Sequence, residues 1–427
     1  MKLLPATLIL TAALSSLGAK VDFHRDMAPI LREYCAGCHN EVDLEGEFAV
    51  ETYKSLMKGG ENGRGILPGK ANESLLLQVL AKKKKPYMPP RKEPQPSAKQ
   101  IEILRIWINE GATGPETDVS ILSTLIVPKV AATKGSTRPI TAIDVSPDGL
   151  PAIGRHGEVE LGKRKLKGNL GKVNALAFSN DGKLLAAASG VTGLRGTVVL
   201  WNPENGKRLR EFGKSHRDIL YDVAISPNAN LLASASYDRM IKLWNRKDGK
   251  LIRTFSGHNG AVHDIAFSPD GTVLASAGGD SSIKLWKVST GQRLDTFGQP
   301  TGEQFNVAFT PDGRHVVAAG ADKQIRLWKW VSKVNPGINP LVRVRFAHED
   351  EITRLAVSRD GKTLVSASAD KTVKTWSLPS LNSMQVFEDQ SDVVAALALS
   401  PDGRTLHVGR MDGSRESFSI KQRNTRK

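Results

Sequence analysis

A four-residue phrase, Ser-Pro-Asp-Gly or a close variant, begins at Ser146, Ser179, Ser226, Ser268, Thr310, Ser358 and Ser400. The intervals are 33, 47, 42, 42, 48 and 42 residues, near the ~40–45 expected when each copy is a four-stranded unit. Each copy follows an alternating run such as Val262 to Phe267 and precedes a second, such as Val273 to Ser276. A third run, such as Ile283 to Trp286, comes after a tight turn. Alternating runs with turn residues between them are an antiparallel signature. One such unit cannot bury its apolar faces alone and must stack on its neighbours. Seven copies therefore predict an all-β, seven-bladed propeller over residues 120–427. The last copy offers only three strands, and a closed ring leaves no open edge. The apolar segment 121–127 (ILSTLIV) is expected to supply the missing strand.

Three copies share a finer register. His216, Ser234, Asp238 and Trp244 recur as His258, Ser276, Asp280 and Trp286, and again as His348, Ser366, Asp370 and Trp376. A Ser, His and Asp together invite a catalytic-triad reading, but threefold recurrence with Trp attached fits a structural network, which stabilises only when every member is satisfied. This pattern resembles the WD-repeat family, in which the resemblance implies a buried hydrogen-bonded chain within each blade. The match is uneven. The copy ending at Trp328 has Ala318 in place of Ser and no histidine upstream, and the first and last copies lack Trp.

The N-terminal part is different in kind. At 427 residues the chain is too long for one ordinary core. Residues 1–19 carry one lysine, a short apolar run and a small-residue exit, the pattern of a secretory signal peptide. The run is shorter than the ~20 apolar residues a membrane span needs. We therefore expect an exported, periplasmic or otherwise extracytoplasmic protein with no transmembrane segment. Its only two cysteines stand in Cys35-Ala36-Gly37-Cys38-His39, the C-x-x-C-H haem-attachment pattern. Two thiols three residues apart add across the vinyl groups on one porphyrin edge, and the adjacent imidazole meets the iron. A thioredoxin-like redox pair would need a βαβ setting, and a zinc site would need further ligands.

Helices are expected on both sides of this motif. Residues 21–33 place Phe23, Met27, Ile30 and Leu31 on one face. Ser97 caps a helix from Ala98 to Asn109, with Ile101, Leu104, Ile106 and Trp107 as its apolar positions and Gly111 as its stop. A sixth iron ligand is often methionine sulfur. Met88 sits among prolines in Lys85-Pro86-Tyr87-Met88-Pro89-Pro90, a stiffened loop, whereas Met57 lies in a helix-like stretch and suits core filling. Residues 20–113 resemble the planctomycete-type cytochrome c domain. The resemblance rests on C-x-x-C-H, the stretch Ile66 to Leu76, Met88-Pro89-Pro90 and the closing Ile106 to Ala112. It implies a small all-α domain with one covalent haem c on Cys35 and Cys38, and His39 and Met88 as axial ligands. Residues 114–119 read as a linker.

The whole chain is formally +16. Residues 20–115 hold 15 basic and 13 acidic side chains, and residues 116–427 hold 44 and 31. The positive field thus belongs to the repeats, and suits docking to an acidic redox protein or an envelope protein complex. No nucleic-acid recognition motif is present. The expected function is electron transfer by the haem domain with the propeller as docking platform. The alternatives are a peroxidase-like haem enzyme with an open iron position, and an envelope scaffold whose haem module is structural.

Overall fold

The computed structural model describes residues 20–40, 45–91, 93–124, 138–212, 216–331 and 338–421. The chain forms two compact units, Met1–Pro128 and Lys129–Lys427. Among the described residues no helix is long and apolar enough to cross a membrane.

Among its described residues, the first unit has four α-helices: α1 (Ala28–Tyr34), α2 (Tyr53–Lys58), α3 (Leu75–Leu80) and α4 (Ala98–Asn109). A π-helical turn, Phe23–Met27, leads into α1, and Asp22 caps it by accepting from Arg25 N. Phe23, Met27, Ile30 and Leu31 are all buried, as the periodicity predicts. The helix α4 starts at a capping box: Gln100 N donates to Ser97 Oγ, and Ser97 N donates to the Gln100 side chain. Gly111, at φ +94°, follows its end. Leu104, Trp107 and Ile108 face the core, but Ile106 is 40% exposed. It stands about 200° around the helix from Leu104, outside the stripe that positions 104, 107 and 108 define.

The expected linker is packed on this unit. Trp107 Nε1 donates to Thr113 O at 3.0 Å, Tyr53 Oη donates to Ala112 O at 3.0 Å, and Lys54 N reaches Asp118 Oδ1 at 3.3 Å. Gly114 lies so close to the Tyr53 ring that a Cβ there would stand 2.5 Å from it. The expected closing strand also fails over its first four residues. Ile121–Thr124 is a 3-10 turn, and Ile121 is fully buried in the helical core. Its N–H donates to Glu51 O at 2.7 Å and its carbonyl accepts from Arg32 Nη1 at 2.8 Å. Both backbone groups and the side chain are satisfied here, so nothing drives the residue to a sheet edge. Residues 125–127 lie outside the described residues.

Among its described residues, the second unit holds 26 strands in six antiparallel sheets. Four sheets have four strands each, in chain order. The first has seven because one long strand, Arg164–Phe178, serves two meanders. Its start pairs with His156–Leu161 and its end with Leu185–Val191. The short 33-residue first interval leaves no chain for a loop between them. Gly171 makes the crossing at φ +62°, where a Cβ would meet Gly190 O at 2.3 Å. The last sheet, Val394 to Ser419, has three strands among the described residues. First strands of successive copies touch, and Val394–Leu399 touches Ala142–Val145. Side chains stitch neighbouring sheets: Asp222 accepts from Ile265 N at 3.0 Å, and Asp264 from Val307 N at 2.7 Å.

The repeated phrase is a turn. Ser268 Oγ donates to Asp270 Oδ1 at 2.7 Å and accepts from Val273 N at 3.0 Å, while Gly271 takes φ +70°. In the copy at Ser226, Ala229 adopts φ +56° in the glycine's place.

Candidate functional site

The Cys-x-x-Cys-His segment continues α1 by one turn. Cys35 N donates to Leu31 O at 2.9 Å, and His39 N donates to Cys35 O at 3.0 Å. Asn40 Nδ2 closes the turn on Ala36 O at 3.1 Å and Gly37 O at 3.2 Å. Both cysteines and the histidine therefore leave a single turn. No disulfide joins the cysteines. Cys35 packs on the helical core, and burial pushes its thiol up to about 12, which keeps it protonated at neutral pH. Cys38 is exposed, and a Cβ at Gly37 would meet nothing within 4 Å, so this face of the turn is open. The His39 carbonyl accepts from Val50 N at 2.9 Å, and its ring meets Phe48 edge-on at 5.4 Å.

Met88 enters from another segment. Its N–H donates to Val79 O at 3.4 Å, tying the loop to α3. Gln95 Nε2 donates to the carbonyls of Pro89, Pro90 and Glu93 at 3.0–3.2 Å and staples the other side. Met88 is half-buried. Met57 packs against the helical core, the role its position in α2 suggests. The turn and the loop are linked through Phe48, which lies beside both His39 and Gly65. Gly65 in turn accepts from Leu76 N of α3 at 2.9 Å. Phe48, Asn40 and Gln95 were not singled out by sequence reasoning. Only Gln95, a long amide among prolines, carried a usable signal. Among the described residues, no three His, Cys, Asp or Glu side chains gather as metal ligands. Among the described residues, the elements of the unit that holds the cysteines are all helical.

The three tetrads form as their spacing predicts. In the second of them His258 Nδ1 meets Asp280 at 2.9 Å and Nε2 meets Ser276 Oγ at 2.7 Å, while Trp286 Nε1 donates to the same Oγ at 2.8 Å. The first and third repeat this within 2.7–3.0 Å. A serine whose oxygen receives the indole N–H and whose proton goes to histidine, in a fully buried site, is no nucleophile. Copies without Ser solve the indole problem differently. Trp328 Nε1 turns to Gln299 Oε1 at 3.3 Å, and Asp322 pairs with Arg326 at 2.5 Å. Among the described residues, Trp201 Nε1 is buried with no partner.

Burial also sets a pH dependence. It pushes His348 down to about 4 from an ordinary value near 6.5, against the opposing pull of Asp370. His216 and His258 shift the same way. The unfolded chain then binds protons more readily than the native one between these values, so stability is full above about pH 6.5 and falls as pH drops towards 4. At pH 5, His348 alone should remove about 2 kcal/mol. Urea midpoints by tryptophan fluorescence at pH 7.5 and pH 5 check this, and His348→Gln should flatten part of the slope.

Comparison with known families gives two matches. Residues 35–92 match Planctomycete cytochrome C. Residues 162–202, 206–245, 249–287, 291–329 and 339–377 match the WD domain, G-beta repeat. Among curated proteins, the transcriptional corepressor LEUNIG_HOMOLOG of Arabidopsis thaliana is 41% identical over 88 residues, 20% of this chain and 10% of that protein. Ribosome assembly protein 4 of Saccharomyces cerevisiae is 41% identical over 59 residues, 14% and 12%. Eukaryotic translation initiation factor 3 subunit I of Aspergillus oryzae is 33% identical over 90 residues, 21% and 25%. The chain thus spans a quarter or less of these relatives, and the likeness to them is one of repeats, not of whole proteins. Taken with the helical turn that carries both cysteines and the tetrads of the sheets, the two matches identify the chain as a planctomycete cytochrome c domain followed by WD40 repeats.

Proposed function

We propose that the protein is an exported electron carrier, with one haem c held by Cys35 and Cys38 and the repeat region as its docking platform. The observation that carries this is the single open turn from Cys35 to His39. Two thiols and an imidazole leave it together, with a half-buried thioether, Met88, in the same unit. Imidazole and thioether are donors that c-type haem iron takes, and the two thiols are the groups that add to the porphyrin vinyls. When bound, haem supplies reversible one-electron chemistry at its iron. The chain's own part is to anchor it at Cys35 and Cys38, hold His39 through the Val50 hydrogen bond and Phe48, and present Met88 on a stapled loop.

The second unit is read as a closed seven-bladed ring. Division of the seven-stranded sheet at Gly171 and contact between the first and last inner strands support this. Its excess of 13 positive charges suits an acidic redox protein or an envelope protein complex. Residues 1–19 would direct export and leave the mature chain in the periplasm or beyond.

Met88 is the point at which carrier and enzyme part. Met88→Ala should lower the reduction potential, abolish the far-red sulfur-to-iron band of the oxidised protein and open the iron to carbon monoxide. Met57→Ala should do none of these. A wild-type protein that lacks the band and binds carbon monoxide readily would favour the peroxidase-like reading instead.

A further inference from the structure

We propose that the strand Leu341–Phe346 is a docking edge that takes an extended acidic segment of a partner protein as an added β-strand. The proposal rests on the docking role given above to the repeat region, and names the surface and the chemistry of what binds it.

The repeat is broken at this strand. Three other outer strands end in a phenylalanine that packs against a tryptophan ring of the next repeat. Phe212 meets Trp244 at 6.2 Å, Phe255 meets Trp286 at 5.8 Å, and Phe297 meets Trp328 at 4.9 Å. All three are at most 3% exposed. Phe255 lies opposite Ile241 and Phe297 opposite Ile283, but the corresponding Ile325 lies opposite Arg345. Arg345 takes the ring's place, its guanidinium 6.0 Å over Trp376. Phe346 is displaced by one residue, and in a strand one residue turns a side chain to the other face. Phe346 is 58% exposed and Val344 47%.

The strand is also an open edge. Among the described residues it is the last of its sheet and pairs only with Gln324–Lys329. Ala347 N donates inward to Lys323 O at 3.0 Å. By the alternation of an antiparallel ladder, the N–H and C=O of Val344 and Phe346 point outward. The neighbouring outer strand, Arg293–Phe297, is treated differently. Asn339 reaches it with a 2.7 Å bond to Asp295, and Leu294 and Asp295 are both buried. Val331 and Ile338, which precede the strand in the chain, are exposed as well.

Charge selects the occupant. Arg343 and Arg345 alternate with Val342, Val344 and Phe346, and Lys329 is exposed on the paired strand. A second copy of this chain paired edge to edge would bring like charges against each other, which is destabilising. A strand alternating acidic with apolar residues matches both sets at the two-residue period, and its backbone completes the outward groups, as in other strand-addition complexes.

The test uses the full chain with its haem and a fluorescent, end-blocked peptide of alternating glutamate and valine, followed by anisotropy. Val344→Pro removes an outward N–H without breaking the ladder, and should weaken binding about tenfold or more. Arg343→Glu and Phe346→Ser should each weaken it as well. The same peptide with lysine for glutamate, or with alternate backbone nitrogens methylated, should fail to bind. No binding by the glutamate–valine peptide, or binding indifferent to Val344→Pro and to methylation, overturns the proposal. So does a wild-type dimer that Val344→Pro dissociates, since the occupant is then a second copy. The far-red band reports separately on the haem reading, so the two fail independently.

Discussion

Replacing both Cys35 and Cys38 by serine is expected to abolish covalent haem completely. Each attachment is an S–H addition across a vinyl C=C, and a serine hydroxyl lacks the nucleophilicity for it. Thioether bonds survive boiling in detergent, so haem staining of a denaturing gel reads the outcome directly. The wild-type band should stain and the double variant should not. Cys35→Ser alone and Cys38→Ser alone should each retain one possible thioether and stain weakly. Because both side chains leave the end of α1 and Cys38 is exposed, the helical core should fold in the double variant, and circular dichroism should show its helices. Undiminished staining in the double variant would mean that the haem is held elsewhere or not covalently.

The largest effect in the second unit should come from Asp280→Ala. Asp280 accepts from His258, from Asn259 N at 3.0 Å and from Ser282 at 2.7 Å, and pairs with Lys284 Nζ at 2.6 Å. Burial alone would raise its pKa, but His258, Lys284 and Ser282 together outweigh that and hold it well below the usual carboxylate range. The Lys284 side chain is 6% exposed. Alanine leaves that cation without its counter-charge in the interior and the His258 ring without its acceptor. Breaking one partner of a buried pair costs about 3–5 kcal/mol, so the urea midpoint should fall steeply. Glu388→Ala, at an exposed carboxylate, should stay within about 0.5 kcal/mol of wild type. Equal losses at the two positions would show that the tetrad is not what stabilises its blade.

What was legible in the sequence follows a physical division. Tetrad spacing of 18, 4 and 6 residues was readable because the strands fix the distance between partners, and all three networks form. The helix α4 was readable to the residue because Ser97, Gln100 and Gly111 act locally. Ile121 was misjudged because its apolar, β-rich neighbourhood suits a strand as well as a core socket, and only the Glu51 and Arg32 bonds decide between them. The merged first sheet was implicit in the 33-residue interval, but an interval does not say whether a strand turns or runs on. The displacement of Phe346 left no sequence signal at all: Leu341 to Phe346 alternates like any strand, and its register depends on pairing with the strand beside it. The site divides in the same way. Cys35, Cys38 and His39 announce themselves by local spacing, and Gln95 bonds locally within its proline-rich loop, while Phe48 acts through contacts with His39 and Gly65.

The central claim, one haem c held by this chain outside the cytoplasm, is tested most directly by the intact mass of the protein purified from an envelope with haem-attachment machinery. The account predicts a chain lacking about its first 19 residues and heavier by the mass of one haem, with the addition mapped to the peptide containing Cys35 and Cys38. An unmodified mass, or one two hydrogens lighter from a Cys35–Cys38 disulfide, would contradict it.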